Sequence, residues 1–291
     1  LRTQAGILTL SHDQQNGLLT GTSIGNVTDT YQYNEFGEVS QYRATFGGTI
    51  LLATSYTMDK LGRISSKTET FNGQTHTYVY TYDAVGQLTE VRKDGILISR
   101  YEYDANGNRI SYSGLNGSVS ASYDNQDRML RYGENTYKYS ANGELQEKTN
   151  AEGTTYYNYD VLGNLKAVTL PDGTNIQYVI DGANHRIGQK VNGILVQGFL
   201  YQDQLNPVAE LDGSGNVVSR FVYANGINVP DYFIKGGVTY RIITDHLGSP
   251  RVIINVATGE IVQRMDYDEF GKVILDTNPG FQPFGFAGGL Y

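Results

Sequence analysis

The chain has no cysteine and no tryptophan, and it has only 6 prolines and 3 methionines among 291 residues. Without cysteine there are no disulfides, no thiolate metal ligands and no cysteine nucleophile. No apolar run approaches the roughly 18 residues that a membrane helix needs, so no membrane span is expected. Lys plus Arg total 22 against 30 for Asp plus Glu, which gives a formal charge of −8 and no basic block. Nucleic-acid binding, which depends on neutralising phosphates, is therefore not expected.

Tyrosine and glycine are abundant instead, with 24 and 35 residues, and many of them belong to one repeated pattern. Its best copies read Tyr-x-Tyr-Asp-x-x-Gly and lie at residues 80–86, 101–107 and 157–163. The second aromatic position of each copy, here called the marker, recurs about every 21 residues. The markers are Tyr33, Met58, Tyr82, Tyr103, Tyr123, Tyr139, Tyr159, Ile180, Tyr201, Tyr223, Thr244 and Tyr267. An unbroken period of this kind predicts one extended repeat array.

Each copy has the composition of a β-hairpin. Tyr-x-Tyr puts two rings on one face of a strand, the Asp carboxylate opens a turn, and the Gly closes it in a left-handed conformation. The predicted turn residues are Asp83, Gly86, Asp104, Gly107, Asp160, Gly163, Gly248 and Gly271, and left-handed Asp127 and Asn184 replace Gly in two copies. The predicted aromatic ladder is Tyr80, Tyr82, Tyr101, Tyr103, Tyr157 and Tyr159. An apolar residue such as Leu88 or Leu165 then starts the next strand.

A second turn is predicted between most copies, at dipeptides that favour tight two-residue hairpins. These are Asn72-Gly73, Asp94-Gly95, Asn116-Gly117, Asp172-Gly173, Asn192-Gly193 and Asp212-Gly213. The predicted fold is therefore all-β, a long antiparallel hairpin array whose sheet coils because strand twist accumulates. Few strands read as continuous apolar runs, so a sheet buried deeply on both faces is not expected. Tyr101 and Tyr103 are expected to face outward.

The tail of the chain carries the most specific motifs, at residues 244–251, 266–271 and 283–291. Together with the Tyr-Asp repeats they resemble the YD-repeat, or Rhs-repeat, family, which includes bacterial polymorphic toxins, insecticidal toxin-complex C subunits and the teneurin shell. The tail itself resembles the Rhs-associated core module. The resemblance implies a weak or degenerate repeat over 1–30, YD repeats over 31–237 and a core-like module over 238–291. It also implies a spiralling sheet that closes into a hollow shell.

That family resemblance also implies a function. The chain would be a non-catalytic shell segment that encloses a C-terminal toxin polypeptide in a protein secreted by bacteria or held at their surface. Its partners would be that toxin, the remaining repeats of the same protein and proteins of a secretion apparatus. Family members cut their own chain at an Asp-Pro motif, but no Asp-Pro dipeptide occurs here, so any self-cleavage would need residues beyond Tyr291. The lack of an initiator Met leads us to expect a piece of a longer protein.

Other kinds of chemistry are weaker interpretations of the same residues. Asp245, His246 and Ser249 combine the groups of a hydrolase triad, but they lie on one predicted turn. Residues 104–108 resemble part of a calcium loop without its completing Glu. The carboxylates of Asp266, Asp268 and Asp276 could share a proton, although two of them belong to the Tyr-Asp turn. The remaining histidines, His12, His76 and His185, lack metal-ligand spacing.

A carbohydrate-binding or adhesive surface built on the tyrosine ladder is the alternative function. Aromatic faces can bind sugars, but cross-strand packing of the same rings explains the pattern equally directly. No catalytic residue, cofactor or metal is assigned from the sequence.

Overall fold

The all-β, antiparallel hairpin array predicted from the sequence is confirmed by a computed structural model, which describes residues 2–3, 6–115 and 117–290. Strands that follow one another in the chain pair antiparallel. One short 3₁₀ turn, Phe286–Gly288, is the only helical element among the described residues. No helix in this part of the chain is long and apolar enough to cross a membrane. Asn116, in one predicted turn, and Tyr291, which ends the tail motif, lie outside the described residues.

The strands are short and follow the repeat closely. The first are β1 Arg2–Thr3, β2 Gly6–Ile7, β3 Thr9–His12, β4 Leu19–Ile24, β5 Val27–Tyr33, β6 Val39–Phe46 and β7 Thr49–Met58. Next come β8 Ile64–Phe71, β9 Gln74–Tyr82, β10 Leu88–Lys93, β11 Ile96–Tyr103, β12 Arg109–Gly114, β13 Gly117–Tyr123, β14 Met129–Tyr132, β15 Asn135–Tyr139, β16 Leu145–Asn150, β17 Gly153–Tyr159, β18 Leu165–Thr169, β19 Asn175–Ile180 and β20 Arg186–Val191. The last are β21 Ile194–Tyr201, β22 Pro207–Asp212, β23 Val217–Val222, β24 Tyr232–Lys235, β25 Val238–Thr244, β26 Pro250–Asn255, β27 Ile261–Tyr267 and β28 Val273–Asp276.

The markers predicted from the period coincide with strand ends. Eleven of the twelve are the last residue of a strand, and Tyr223 follows directly after β23. The apolar residues predicted to resume the chain, such as Leu88 and Leu165, are the first residues of β10 and β18. A further hairpin precedes the first marker, since β3 pairs with β4 across a turn in which Asp13 accepts the N–H of Gln15.

The chain forms two compact units, described separately here. The first unit comprises Leu1–Ser55, Glu69–Thr75 and Phe199–Tyr291, and the second comprises Tyr56–Thr68 and His76–Gly198. The domain bounds expected from the sequence stay a prediction.

The first unit contains the buried core, in two clusters. One joins β4–β7 to β24–β26 through residues such as Ile24, Leu52 and Ile254. The other surrounds Phe284, which is fully buried. One strand, β26, is buried on both faces, since Pro250, Arg251, Val252, Ile253 and Ile254 are all buried. The apolar run of β26 is only Val-Ile-Ile, and a search for hydrophobic periodicity over a longer window does not detect so short a run.

The two faces of the sheet in the second unit differ in exposure. Along β9, β15 and β17 the motif tyrosines and those in register with them are half-buried, while the residues between them are exposed, and so is Tyr156 of β17. Val91, Tyr101 and Val168 are its buried apolar residues in the described part of the chain. This alternation is the period-two pattern expected of a strand whose two faces differ in exposure.

The second set of turns is confirmed in part. Asn72, Asp94 and Asn192 have positive φ angles of 49°, 51° and 50°, as a tight two-residue turn requires. The prediction is wrong for Asp172-Gly173 and Asp212-Gly213, which form longer turns. Pro171 fixes the φ that favours a type I turn, which Gly173 then closes. Asp212 instead starts an Asp-x-x-Gly turn that ends at Gly215.

Candidate functional site

The repeated turn has one geometry, seen clearly at Asp83. Its Oδ1 accepts hydrogen bonds from the backbone N–H groups of Val85 at 3.0 Å and Gln87 at 2.8 Å. The N–H of Gly86 donates to the Asp83 carbonyl at 3.2 Å, and Gly86 has a φ of 95°. The carboxylate therefore stabilises the turn by accepting two of its backbone N–H groups, and Gly86 supplies the left-handed conformation that completes it. Asp83 and Gly86 thus occupy the positions where the turn needs a carboxylate acceptor and a left-handed residue.

The same contacts recur around the array. Aspartate Oδ1 atoms accept the N–H two and four residues later in turns that start at Asp59, Asp104, Asp124, Asp160, Asp181, Asp245 and Asp268. The closing residues all have positive φ, namely Gly37, Gly62, Gly86, Gly107, Asp127, Gly143, Gly163, Asn184, Gly248 and Gly271. The ten left-handed positions predicted from the sequence are thus all confirmed.

The marker tyrosine has a contact that the sequence did not predict. The Tyr82 hydroxyl donates to the Ile64 carbonyl at 2.9 Å, and the Tyr103 hydroxyl donates to the Leu88 carbonyl at 2.8 Å. In both cases the acceptor is the first strand residue after the preceding Tyr-Asp turn. We call this contact the tyrosine clasp. It recurs from Tyr33 to Leu19, from Tyr123 to Arg109, from Tyr139 to Met129 and from Tyr223 to Pro207.

At these six markers the clasp joins a hairpin to the one before it and places a polar hydroxyl in a half-buried site. Burial raises the pKa of Tyr82 and of Tyr103 above that of free tyrosine. One feature of the sequence indicates such a role: nine markers are tyrosine and none is phenylalanine. A ring needed for packing alone would be replaced by phenylalanine in some copies, because the two rings pack alike.

The first tyrosines of the motif are packed by protein groups. Tyr101 is 3% exposed, so its expected outward position is wrong, and Tyr103 is half-buried. The ring of Tyr101 lies 5.6 Å from that of Tyr112, and the Arg109 guanidinium lies 5.5 Å from its centroid. Tyr80 and Tyr157 are half-buried on the same face of their strands as Tyr82 and Tyr159. These contacts favour cross-strand packing over sugar binding as the role of the ladder.

Neighbouring turns are also joined by amide side chains. Asn108 Nδ2 donates to Asp104 Oδ2 at 3.0 Å and to Asp127 Oδ1 at 2.7 Å, and Asn106 Nδ2 reaches Asp127 at 2.9 Å. These hydrogen bonds lower the pKa of Asp104, with the Asn108 side chain as the largest cause. In the segment weighed as a calcium loop, Asn106 and Asn108 therefore hold two turns together through the carboxylates of Asp104 and Asp127.

The Asp245, His246 and Ser249 set is the same kind of turn and not a triad. Asp245 Oδ1 accepts the N–H groups of Leu247 and Ser249, each at 2.9 Å. The Ser249 side chain is fully buried, and its Oγ accepts the N–H of Ala287 at 3.0 Å. The hydroxyl thus positions the C-terminal segment.

The acidic residues near the C-terminus are separated by their partners. Asp266 contacts Arg251 and Arg264, each at 2.7 Å, while Asp276 accepts a hydrogen bond from Gln263 at 2.9 Å. Asp268 opens the last Tyr-Asp turn. None of these contacts pairs two carboxylates as an acid–base dyad requires.

The histidines lie at separate turns. His76 Nδ1 lies 2.6 Å from Asp94. His185 Nδ1 lies 2.9 Å from Asp181, the aspartate that starts one of the repeated turns. His12 ends β3. Across residues 2–3, 6–115 and 117–290, no three His, Cys, Asp or Glu side chains are grouped as a metal site would need.

Two buried ion networks in the first unit were missed from the sequence. Arg241 contacts Asp29 at 2.9 Å and Asp231 at 3.4 Å, and all three side chains are at most 6% exposed. Arg251 contacts Glu69 at 2.9 Å as well as Asp266. Burial alone lowers the pKa of each arginine, but the adjacent carboxylates outweigh it and raise the pKa. Asp29 and Glu69 lie 212 and 182 residues from their arginines, too far for spacing to have paired them.

Comparison with known proteins agrees with the repeat. The teneurin YD-shell family model matches residues 2–291. Human teneurin-4 is 28% identical over 273 residues, which are 91% of this chain and 10% of teneurin-4. Teneurin-1 of Gallus gallus is 30% identical over 220 residues, 74% of this chain and 8% of that protein.

Two further matches are a bacterial protein and a solved structure. The tRNA3(Ser)-specific nuclease WapA of Bacillus spizizenii is 26% identical over 232 residues, 77% of this chain and 8% of WapA. A crystal structure of TcdB2-TccC3-Cdc42 covers 97% of this chain at 12% identity and a TM-score of 0.47, and 22% of that chain is covered. The chain spans about a tenth of the length of the curated relatives it matches. The resemblance given by the Tyr-Asp repeats is confirmed, and the chain belongs to the teneurin YD-shell family as a structural segment of repeated hairpins.

Proposed function

We propose that this chain forms part of the wall of a YD-repeat shell that encloses a C-terminal toxin polypeptide in a secreted bacterial protein. The observation that carries this proposal is the tyrosine clasp. The most repeated polar group of the chain bonds one hairpin to the next, as at Tyr82 and Tyr103, and is thereby used to build a continuous wall. Function then depends on what the wall surrounds.

The other polar residues of the motif support a structural role. The carboxylate of each Tyr-Asp turn accepts backbone N–H groups, and Ser249 and Asp266 have protein partners. A catalytic nucleophile or base needs a partner arranged for proton transfer and space for a substrate. We therefore assign the chain no catalytic role, and any activity of the whole protein would reside in other segments.

The partners follow from this role. They are the enclosed polypeptide, the remaining repeats of the same protein and the proteins that export it. The name of the WapA relative gives that protein a tRNA nuclease activity, while the region similar to this chain is 8% of its length. A protein named as a nuclease thus contains a region similar to this chain, and we propose a comparable arrangement here, with the enclosed polypeptide as the active part.

Limited proteolysis of the complete protein tests the proposal. We expect its C-terminal polypeptide to resist a protease that rapidly cuts the same polypeptide expressed alone, and we expect electron microscopy to show a hollow particle. The isolated C-terminal polypeptide is the control for intrinsic protease resistance. A solid or rod-like particle, or equal cutting rates for the linked and isolated polypeptides, would rule out an enclosing wall.

A further inference from the structure

The strand register of the second unit collects its tyrosines on one face. Tyr80 pairs with Val91, which pairs with Ser99, and Tyr101 pairs with Tyr112, so these side chains share a side of the sheet. We call this side the tyrosine face. Its tyrosines are Tyr78, Tyr80, Tyr82, Tyr101, Tyr103, Tyr112, Tyr123, Tyr132, Tyr137, Tyr139, Tyr157, Tyr159 and Tyr178.

Positive side chains share the tyrosine face. Lys67 lies 4.6 Å from the centroid of Tyr78, and Lys93 and Lys148 are paired across strands with Tyr78 and Tyr137. Two arginines stack on its rings as well. Arg109 lies over Tyr101 and Tyr132, and Arg186 lies over Tyr178.

The acidic side chains of the same strands are on the opposite face. Glu90 pairs with Thr81, Glu102 with Ser111 and Glu147 with Lys138, all on the exposed side. Among the described residues of β9–β20 whose register places them on the tyrosine face, none is Asp or Glu. Within β9–β20 of a chain with a net charge of −8, the charged strand residues of the tyrosine face are therefore all positive.

The position of these cations decides which anion the face suits. Stacking of nucleic-acid bases needs open ring faces. Here Lys67, Arg109 and Arg186 already cover the rings of Tyr78, Tyr101 and Tyr178. What the face offers a partner is ammonium and guanidinium groups at its surface, which suit carboxylates along an extended chain. The absence of nucleic-acid binding was predicted from the net charge. The covering of these rings by cations is a more direct argument against base stacking on this face.

We propose that the tyrosine face binds an acidic stretch of polypeptide, and, resting on the proposed function, that this stretch belongs to the enclosed segment. Charge complementarity selects the partner, while the half-buried tyrosines provide a stiff, partly apolar floor beneath the cations. Contacts of this kind weaken as salt screens them.

Matched variants test the tyrosine face with a fluorescein-labelled oligoglutamate peptide in anisotropy titrations of the 291-residue chain. Lys93→Gln with Lys148→Gln removes two cations from the tyrosine face. The control, Arg92→Gln with Lys138→Gln, removes two cations from the opposite face, where Arg92 pairs with Val79 and Lys138 with Glu147. We expect the first double variant to weaken binding about three- to tenfold and the control to leave it near the parent.

Three outcomes would overturn the proposal: no oligoglutamate binding by the parent chain, equal effects of the two double variants, or tighter binding of oligothymidylate than of oligoglutamate. The urea midpoints of both double variants establish that each is folded. Protease protection in the complete protein separates the two proposals. Protection with equal effects of the two double variants would refute the acidic partner alone, and loss of protection in the parent protein would refute enclosure itself.

Discussion

Replacement of Gly163 isolates the energetic role of the left-handed turn position. Gly163 has a φ of 81°, and a Cβ added there would have no atom within 4 Å. Any cost of Gly163→Val is therefore backbone strain and not a clash. A β-branched residue in this region costs about 1–3 kcal/mol. Asn184 holds the equivalent position of the next turn with a φ of 67°, so Gly163→Asn should cost clearly less.

Gly182 provides the matched control, because it lies in that next turn without a positive φ and also has no atom within 4 Å of an added Cβ. Urea unfolding of the 291-residue chain, followed by circular dichroism, measures the change in free energy. Hydrogen exchange at the amides of β17 and β18 shows whether the loss is local to that hairpin. We expect the free energy of unfolding to fall in the order Gly182→Val, Gly163→Asn, Gly163→Val, with Gly182→Val the most stable. Equal stability of Gly163→Val and the parent would refute the strain argument.

Three further perturbations test other contacts. Tyr103→Phe removes the clasp to Leu88 and should cost about 1 kcal/mol in urea unfolding, whereas Tyr156→Phe, at a ring that is 53% exposed, should cost almost nothing; equal losses would argue against the clasp. Arg251→Met leaves Glu69 buried without its cation and should cost about 3–5 kcal/mol, and a thermal midpoint unchanged from the parent would contradict this. The pKa of Asp160 is lowered, with the Asn164 side chain as the largest cause, so its contribution is complete above the unfolded pKa near 4 and is lost as pH falls through the lower folded value. Asp160→Asn keeps the turn, as Asn34 does, and should flatten the acid limb of a stability–pH curve; a curve identical to that of the parent would refute the assignment.

The strand ends and turns were predictable because each repeat specifies its turn through residues that are close together in the sequence. Asp-x-x-Gly specifies a turn within four residues, and so strand ends and left-handed positions followed from the letters. The turn at Gly173 was mistaken for a two-residue hairpin because Pro171 outweighs the Asp-Gly dipeptide next to it.

The missed features all need pairing partners from elsewhere in the chain. The clasp depends on which carbonyl the register brings opposite Tyr103, and the burial of Tyr101 depends on Tyr112 across the strand pair. Arg241 and Asp29 are 212 residues apart, and no periodicity links them. Alternation along β10 puts Lys93 and Glu90 on opposite faces, but only the register shows that Lys93 shares the side of Tyr78.

The clasp and the buried Arg241 have different consequences for how the chain folds as it leaves the ribosome. Six marker hydroxyls find their acceptors on the hairpin made just before them, so these hairpins can add to an existing edge during synthesis. Asp29, by contrast, cannot form its ion pair until Arg241, 212 residues later in the chain, has been synthesised. The core of the first unit therefore cannot be completed until Arg241 has been synthesised, after all the hairpins of the second unit.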